Sequence, residues 1–175
     1  MRKIALIIIF LISMSGISQN SIYDISLESI DGQQIQLSDY KGKYLLLVNV
    51  ASYCGYTSQY ADLQKLHDTY DNLEVIGLPC NQFLFQEPFS EDSIQKFCSS
   101  NYSITFLMTK KINVKGKNQH EIYKWLTKKS LNSKKDSRVK WNFQKYLINP
   151  NGELIDFFNP RTLPFSKEII KHLKD

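Results

Sequence analysis

Cysteine is scarce in this sequence, with three in 175 residues: Cys54, Cys80 and Cys98. So few exclude a disulfide framework, because stapled mini-proteins carry more cysteines in fewer residues. An odd number also leaves at least one thiol unpaired in any monomer. Long apolar runs are missing as well. The N-terminal run, Ile4 to Ile12, is well short of the roughly 20 residues that span a bilayer. Glycine (7) and proline (5) are few, with no linker or domain boundary rich in either, no internal repeat and no glycine-rich phosphate loop. The charge excess is small: 22 basic residues face 17 acidic ones for a net +5, or +3 once Arg2 and Lys3 are removed. That gives no case for nucleic acid. His67, His120 and His172 stand at no metal-ligand spacing with one another or with the cysteines, so neither a metal nor another cofactor is expected. No Ser/His/Asp set stands at a recognisable spacing.

The N-terminus has the pattern of a secretory signal. Arg2 and Lys3 precede the apolar run, and the small, polar stretch Ser13 to Ser18 follows it, with Gly16 and Ser18 suited to the −3 and −1 positions of a cleavage site. The expectation is a cleaved segment, 1–18, and an exported chain, in the bacterial periplasm or outside the cell, with no stable membrane association after cleavage. An uncleaved anchor is the alternative. No cysteine follows the apolar run, so lipid anchoring has no support. Residues 19–175 then form one domain, with 42% hydrophobic and 13% aromatic residues across the whole sequence to supply a core.

Periodicity orders the elements. Ile22 to Leu27 and Gln33 to Leu37 flank the turn signal Asp31-Gly32, which predicts an opening β-hairpin. Tyr44 to Val50 is a continuous apolar run of strand length, as expected of a strand covered on both faces. Tyr60, Leu63, Leu66, His67 and Tyr70 recur at helical spacing, predicting a helix over Thr57 to Tyr70. Leu73 to Leu78 reads as a second buried strand, and Ser90 to Cys98 as a helix with Ser90 as N-cap and Glu91 and Asp92 in its first turn. That β-α-β-α order implies parallel strands with helical crossovers. A helix from about Asn118 to Lys129, a hairpin of Tyr146 to Asn149 with Leu154 to Phe158, and a last helix over Phe165 to Leu173 complete the chain. These pieces assemble into an α/β fold with a central mixed β-sheet flanked by helices, of which the thioredoxin-like fold is the best-known small version.

Cys54 falls just after one predicted strand and just before a predicted helix. Unpaired N–H groups and the positive dipole end of a helix stabilise a thiolate there, although a small buried filler is the other reading of a lone cysteine. In Cys54-Gly55-Tyr56-Thr57 a threonine stands where a dithiol motif has its second cysteine. A neighbouring thiol therefore cannot close a disulfide within the turn. A solitary activated thiolate is left to attack a peroxide, a persulfide or an acyl group, and the first gives a sulfenic acid.

Three blocks, Asn49 to Thr57, Pro79 to Phe83 with Gln86-Glu87-Pro88, and Trp141-Asn142-Phe143, resemble in order the signature motifs of the glutathione peroxidase family. The similarity runs from about Ile22 to Phe158. The resemblance implies a thiol peroxidase acting on hydrogen peroxide and organic hydroperoxides, with Cys54 as the peroxidatic residue and Gln86, Trp141 and Asn142 as its catalytic companions. Amide groups on Gln86 and Asn142 and the indole N–H of Trp141 can donate to a thiolate or to a departing oxygen. Cys98 resembles the resolving cysteine of the thioredoxin-dependent, two-cysteine branch, which implies an intramolecular disulfide reopened by a thioredoxin-like reductant.

Alternatives remain at this level: a glutathione-reduced one-cysteine peroxidase, a peroxide sensor or relay, and a binding module without catalysis. Cys80, at the end of the neighbouring strand, competes as resolver. The short run from Leu126 to Trp141 lacks the insertion of tetrameric relatives, so a monomer is expected. The chain also departs from the family pattern. Leu84 and Phe89 stand where glycine is usual around Gln86, Leu107 replaces a common proline, and Phe157 replaces an arginine often found after the last hairpin.

Overall fold

The computed structural model describes residues 21–173. The expected signal segment, 1–18, lies outside the described residues. The elements run β1 (Ser26–Glu28), β2 (Gln34–Gln36), β3 (Tyr44–Val50), α1 (Gln59–Thr69), β4 (Leu73–Pro79), α2 (Glu91–Tyr102), β5 (Leu107–Met108), α3 (Glu121–Thr127), α4 (Lys129–Asn132), β6 (Lys145–Ile148), β7 (Leu154–Phe158) and α5 (Lys167–Ile170).

Five strands make one mixed sheet in the order β5-β4-β3-β6-β7. β3, β4 and β5 are parallel, joined by the crossovers through α1 and α2, while β6 and β7 return antiparallel. β3 lies between β4 and β6 with apolar layers on both faces, which explains why every residue from Leu45 to Val48 is apolar. Successive residues of a strand face opposite sides, and the packing follows that period. Leu45 and Leu47 of β3, Ile76 and Leu78 of β4 and Tyr146 and Ile148 of β6 face the β1–β2 hairpin and α3. Leu46, Val48, Val75 and Leu147 face the other way, onto Tyr60, Leu63 and Leu66 of α1, Ile94 and Cys98 of α2 and Ile169 of α5.

The expected elements are present with altered ends, each for a local reason. The opening hairpin is antiparallel, but its paired arms are three residues each. Ile22–Asp24 is a 3-10 turn instead, held by a capping box in which the Ser21 hydroxyl accepts from Tyr23 and the Asp24 carboxylate accepts the Ser21 N–H. α2 runs on past Cys98 to Tyr102 and stops at Ser103, which is left-handed (φ 52°). α3 starts at Glu121 because His120 Nδ1 caps it by accepting the Ile122 N–H. The turn between β6 and β7 needs Gly152, at φ +84°, where any side chain would strike the Tyr23 ring. The two-residue strand β5 was not anticipated, because so short a segment carries no measurable period.

Candidate active site

The segment between β3 and α1 is a tight, internally bonded turn. The Thr57 hydroxyl accepts the Cys54 N–H (2.9 Å) and donates to the Ala51 carbonyl (2.9 Å), tying the turn to the end of the strand. Successive backbone bonds, from Thr57 to Cys54 (3.0 Å), Gln59 to Tyr56 (2.9 Å) and Tyr60 to Thr57 (3.1 Å), lead into the helix. The N–H groups near Cys54 therefore belong to this turn rather than to the first turn of α1. One of them, from Tyr56, points at the Cys54 sulfur at 3.5 Å. The thiol is 8% exposed, at the boundary between core and solvent.

Gln86 and Asn142 meet across the mouth of this turn. Asn142 is fully buried and donates to Gln86 Oε1 (3.0 Å). Asn49 at the end of β3 holds that corner, donating to the Trp141 carbonyl (3.0 Å) and accepting from Phe143, whose φ of 65° turns the chain. The Gln86 carbonyl accepts the Tyr53 N–H (3.0 Å), which joins the Gln86 loop to the residue before Cys54. Trp141 is half-buried, packs against the same apolar cluster as Cys54, and tilts against Phe83 with ring centroids 5.5 Å apart. Among the described residues, neither the Gln86 Nε2 group nor the Trp141 indole N–H takes a protein acceptor. Asn142 directs one amide N–H at Gln86 and so orients it.

The other two cysteines lie on opposite faces of the sheet. Cys98 shares the apolar cluster of Cys54, whereas Cys80 belongs to the cluster on the far face. All three are free thiols. Cys98 is 2% exposed, and burial pushes its thiol up to about 11. The Tyr60 hydroxyl abuts it without meeting any partner at hydrogen-bonding geometry. Burial also raises Cys80, which accepts the Gln82 N–H at 3.4 Å.

Glu87 was not singled out from the sequence. It is completely buried, and one oxygen accepts both the Ser52 N–H (2.8 Å) and the Ser52 hydroxyl (3.0 Å) while the other has no partner. Burial pushes its carboxyl up to about 7, against the opposing pull of Ser52 and Lys111. Glu87 is the one acid between β4 and α2 and stands beside a proline, which was the available signal. Buried Lys145 donates to Gln59 Oε1 and to the carbonyls of Pro160 (3.2 Å) and Thr162 (2.7 Å), and burial lowers it to about 7. A cavity of about 480 Å³ opens beside Trp141, walled by Tyr56, Lys140, Pro160 and Arg161.

The pattern described as "Glutathione peroxidase" matches residues 22–127. The glutathione peroxidase homolog BsaA of Bacillus subtilis is 42% identical over 158 residues, covering 88% of this chain and 99% of that protein. Glutathione peroxidase-like peroxiredoxin 2 of Saccharomyces cerevisiae is 39% identical over 148 residues, covering 83% and 91%. The crystal structure of Trgpx in its apo form superposes with a TM-score of 0.66 at 34% identity, over 88% of this chain and 96% of that one.

Proposed function

We propose, from the premise that this chain belongs to the glutathione peroxidase family, that Cys54 is its peroxidatic residue and Cys98 its resolver. Family membership makes the protein a peroxidase, an oxidoreductase of thioredoxin-like fold that reduces hydroperoxides with electrons from thiols. The residue roles, the order of steps and the identity of the reductant are our reading.

In that reading the Cys54 thiolate attacks one peroxide oxygen as the O–O bond breaks. Sulfur is oxidised to a sulfenic acid, the peroxide is reduced, and the departing oxygen takes a proton to leave as an alcohol, or as water from hydrogen peroxide. The available donors on Gln86 and Trp141 stabilise the charge that develops on that oxygen, and Asn142 fixes the amide of Gln86. Cys98 then attacks the sulfenic sulfur, forming the disulfide and releasing water. A thioredoxin-like dithiol reopens the disulfide by exchange.

The observation that carries this reading is the hydrogen-bonded Gln86–Asn142 pair, tied through Tyr53 to the Cys54 turn. The choice of Cys98 over Cys80 rests on the shared cluster of Cys54 and Cys98 and the separation of Cys80 onto the other face. Export through cleavage after Ser18 and a monomeric state belong to the same proposal. Intact-mass measurement of the secreted chain and sedimentation test them.

Steady-state peroxide consumption tests the mechanism, comparing thioredoxin plus its reductase with glutathione. Wild type should turn over with thioredoxin, and Cys54→Ser should lose turnover with either donor. Cys98→Ser should still react once with peroxide but lose thioredoxin-supported cycling. Activity surviving in Cys54→Ser rejects the reading, and unchanged thioredoxin-supported cycling in Cys98→Ser takes the resolving role from Cys98.

A further inference from the structure

Cys98 sits against a buried polar atom for which the closed fold provides no match. Tyr60, on the first turn of α1, is completely buried, and among the described residues its hydroxyl meets no hydrogen-bond partner although it abuts the Cys98 thiol. Its ring is well placed. It tilts against Tyr102 at the end of α2 with centroids 5.3 Å apart, and it meets Phe143 edge-on at 5.4 Å. A phenylalanine would keep both ring contacts and bury no polar atom, so the hydroxyl does nothing for the closed fold. A buried donor left unpaired destabilises the state that buries it.

The packing around Cys98 is incomplete as well. The residue lines a cavity of about 290 Å³ together with Ile104, Phe106 and Met108, and an atom that faces a void lacks the dispersion contacts a filled core would give it. Both defects fall on the residue that has to leave its place in the mechanism proposed above. When α2 draws away, the Tyr60 hydroxyl gains water as a partner and the cavity opens to solvent. Each defect therefore raises the free energy of the closed seat and not that of the open one.

We infer that Tyr60 is a positioning residue of the resolving step, its unpaired hydroxyl making the buried seat of Cys98 unstable so that α2 delivers this thiol promptly to the Cys54 sulfenic acid. The inference rests on Cys98 being the resolver. In that step the S–S bond forms as the S–OH bond breaks. The Cys98 sulfur is oxidised, the sulfenic sulfur is reduced, and the Cys98 proton departs with the hydroxide as water. Tyr60 contributes no atom and no electron. Activation of a Cys98 thiolate by the same hydroxyl is a different role, and the closed seat offers it no charge to meet. Burial pushes the Cys98 thiol up to about 11 and the Tyr60 phenol well above its ordinary value. Glu87 and Tyr102 are the other titratable groups near the hydroxyl, and both push it up further.

Tyr60→Phe tests it, first in the reduced protein without peroxide and then through the reaction. In the reduced protein the thermal midpoint should rise, and hydrogen exchange of the α2 amides should slow about five-fold, the equivalent of about 1 kcal/mol. After one equivalent of hydrogen peroxide and no reductant, closure is timed by dimedone trapping of the sulfenic acid and by mass spectrometry of the Cys54–Cys98 disulfide. Closure in Tyr60→Phe should slow about five-fold relative to the first oxidation of Cys54, with its pH midpoint where wild type has it. Closure as fast as in wild type or faster, or a lowered thermal midpoint, overturns the proposal. So does a pH midpoint moved upward, which would make the hydroxyl a donor to the Cys98 thiolate. Wild type that forms no Cys54–Cys98 disulfide removes the resolver and this role with it, whereas a disulfide that forms equally fast in both proteins removes only the role of Tyr60.

Discussion

The turn that holds Cys54 and the helix that holds Cys98 lie in one apolar cluster and are built in opposite ways. The turn is braced from every side. Thr57 ties it to β3, Glu87 grips Ser52 from below, and Gln86 reaches it through Tyr53. Helix α2 buries only Ile94 and Cys98 and leaves most of its other side chains wholly or partly in solvent. α1, by contrast, buries Gln59, Tyr60, Leu63, Gln64 and Leu66. Elements with few buried apolar contacts open at lower free energy than the rest of a fold. A thiol that must meet peroxide needs a fixed geometry. In the proposed mechanism Cys98 travels to it, which needs a helix that releases cheaply, and release would also free Cys98 from the burial that raises its thiol.

The largest effect that would break this comparison lies in the braced half. Gln86→Ala should lower peroxide turnover about 10²–10³-fold, the range for removing one preorganised donor at a developing oxyanion. Stopped-flow oxidation of Cys54 measures it, and a change below about three-fold would show that the brace around Cys54 does not act on the departing oxygen.

Next in size is the carboxylate beneath the turn. Burial raises Glu87 from 4.5 to about 7, so between those values the folded chain holds a proton that the unfolded chain gives up. Stability from this group is therefore lost as pH rises through that window. Glu87→Gln removes the titration and keeps an acceptor for Ser52. Its stability relative to wild type should rise by ~1–3 kcal/mol between pH 5 and pH 8, measured by urea unfolding. A flat difference would show that Glu87 is ionised throughout.

Ser90→Ala probes the other half. The Ser90 hydroxyl caps α2 by accepting the Ser93 N–H (3.4 Å), and losing such a cap costs about 1 kcal/mol. Cleavage at α2 by dilute protease should rise several-fold, and the Cys54–Cys98 disulfide should form faster after a peroxide pulse. Slower closure would mean that α2 works as a fixed platform. The smallest effect belongs to Cys80→Ala. With its thiol on the far face of the sheet, thioredoxin-supported turnover should change less than about two-fold, and a loss matching that of Cys98→Ser would reverse the roles of the two cysteines.

Long, regular segments were legible from residue pattern. Tyr44–Val50 was anticipated to the residue, Leu73–Pro79 and Leu154–Phe158 closely, and the Ser90 cap correctly. Short or competing segments were not. Ile22–Asp24 alternates like a strand, yet the Ser21–Asp24 capping box bends it into a 3-10 turn. The predicted helix from Asn118 divides at Lys128 into α3 and α4, with Lys128 itself extended (φ −115°, ψ 119°). Around the site, Leu84 and Phe89 were visible as departures from the family pattern, but their surroundings were not. A backbone at positive φ leaves its mark as glycine, and here the glycine has been replaced.

By itself the sequence determined the strand and helix order and the solitary thiol, because periodicity and the Cys-Gly-Tyr-Thr spacing are local properties. It also carried the three blocks that resemble one family. Only the tertiary structure decided that Cys80 and Cys98 face opposite layers, that Asn142 orients Gln86, and that Glu87 and Lys145 are buried with carboxyl and ammonium shifted towards 7. Those properties depend on which distant segments exclude water from a group and which supply its hydrogen bonds, and neither is written in the residues beside it.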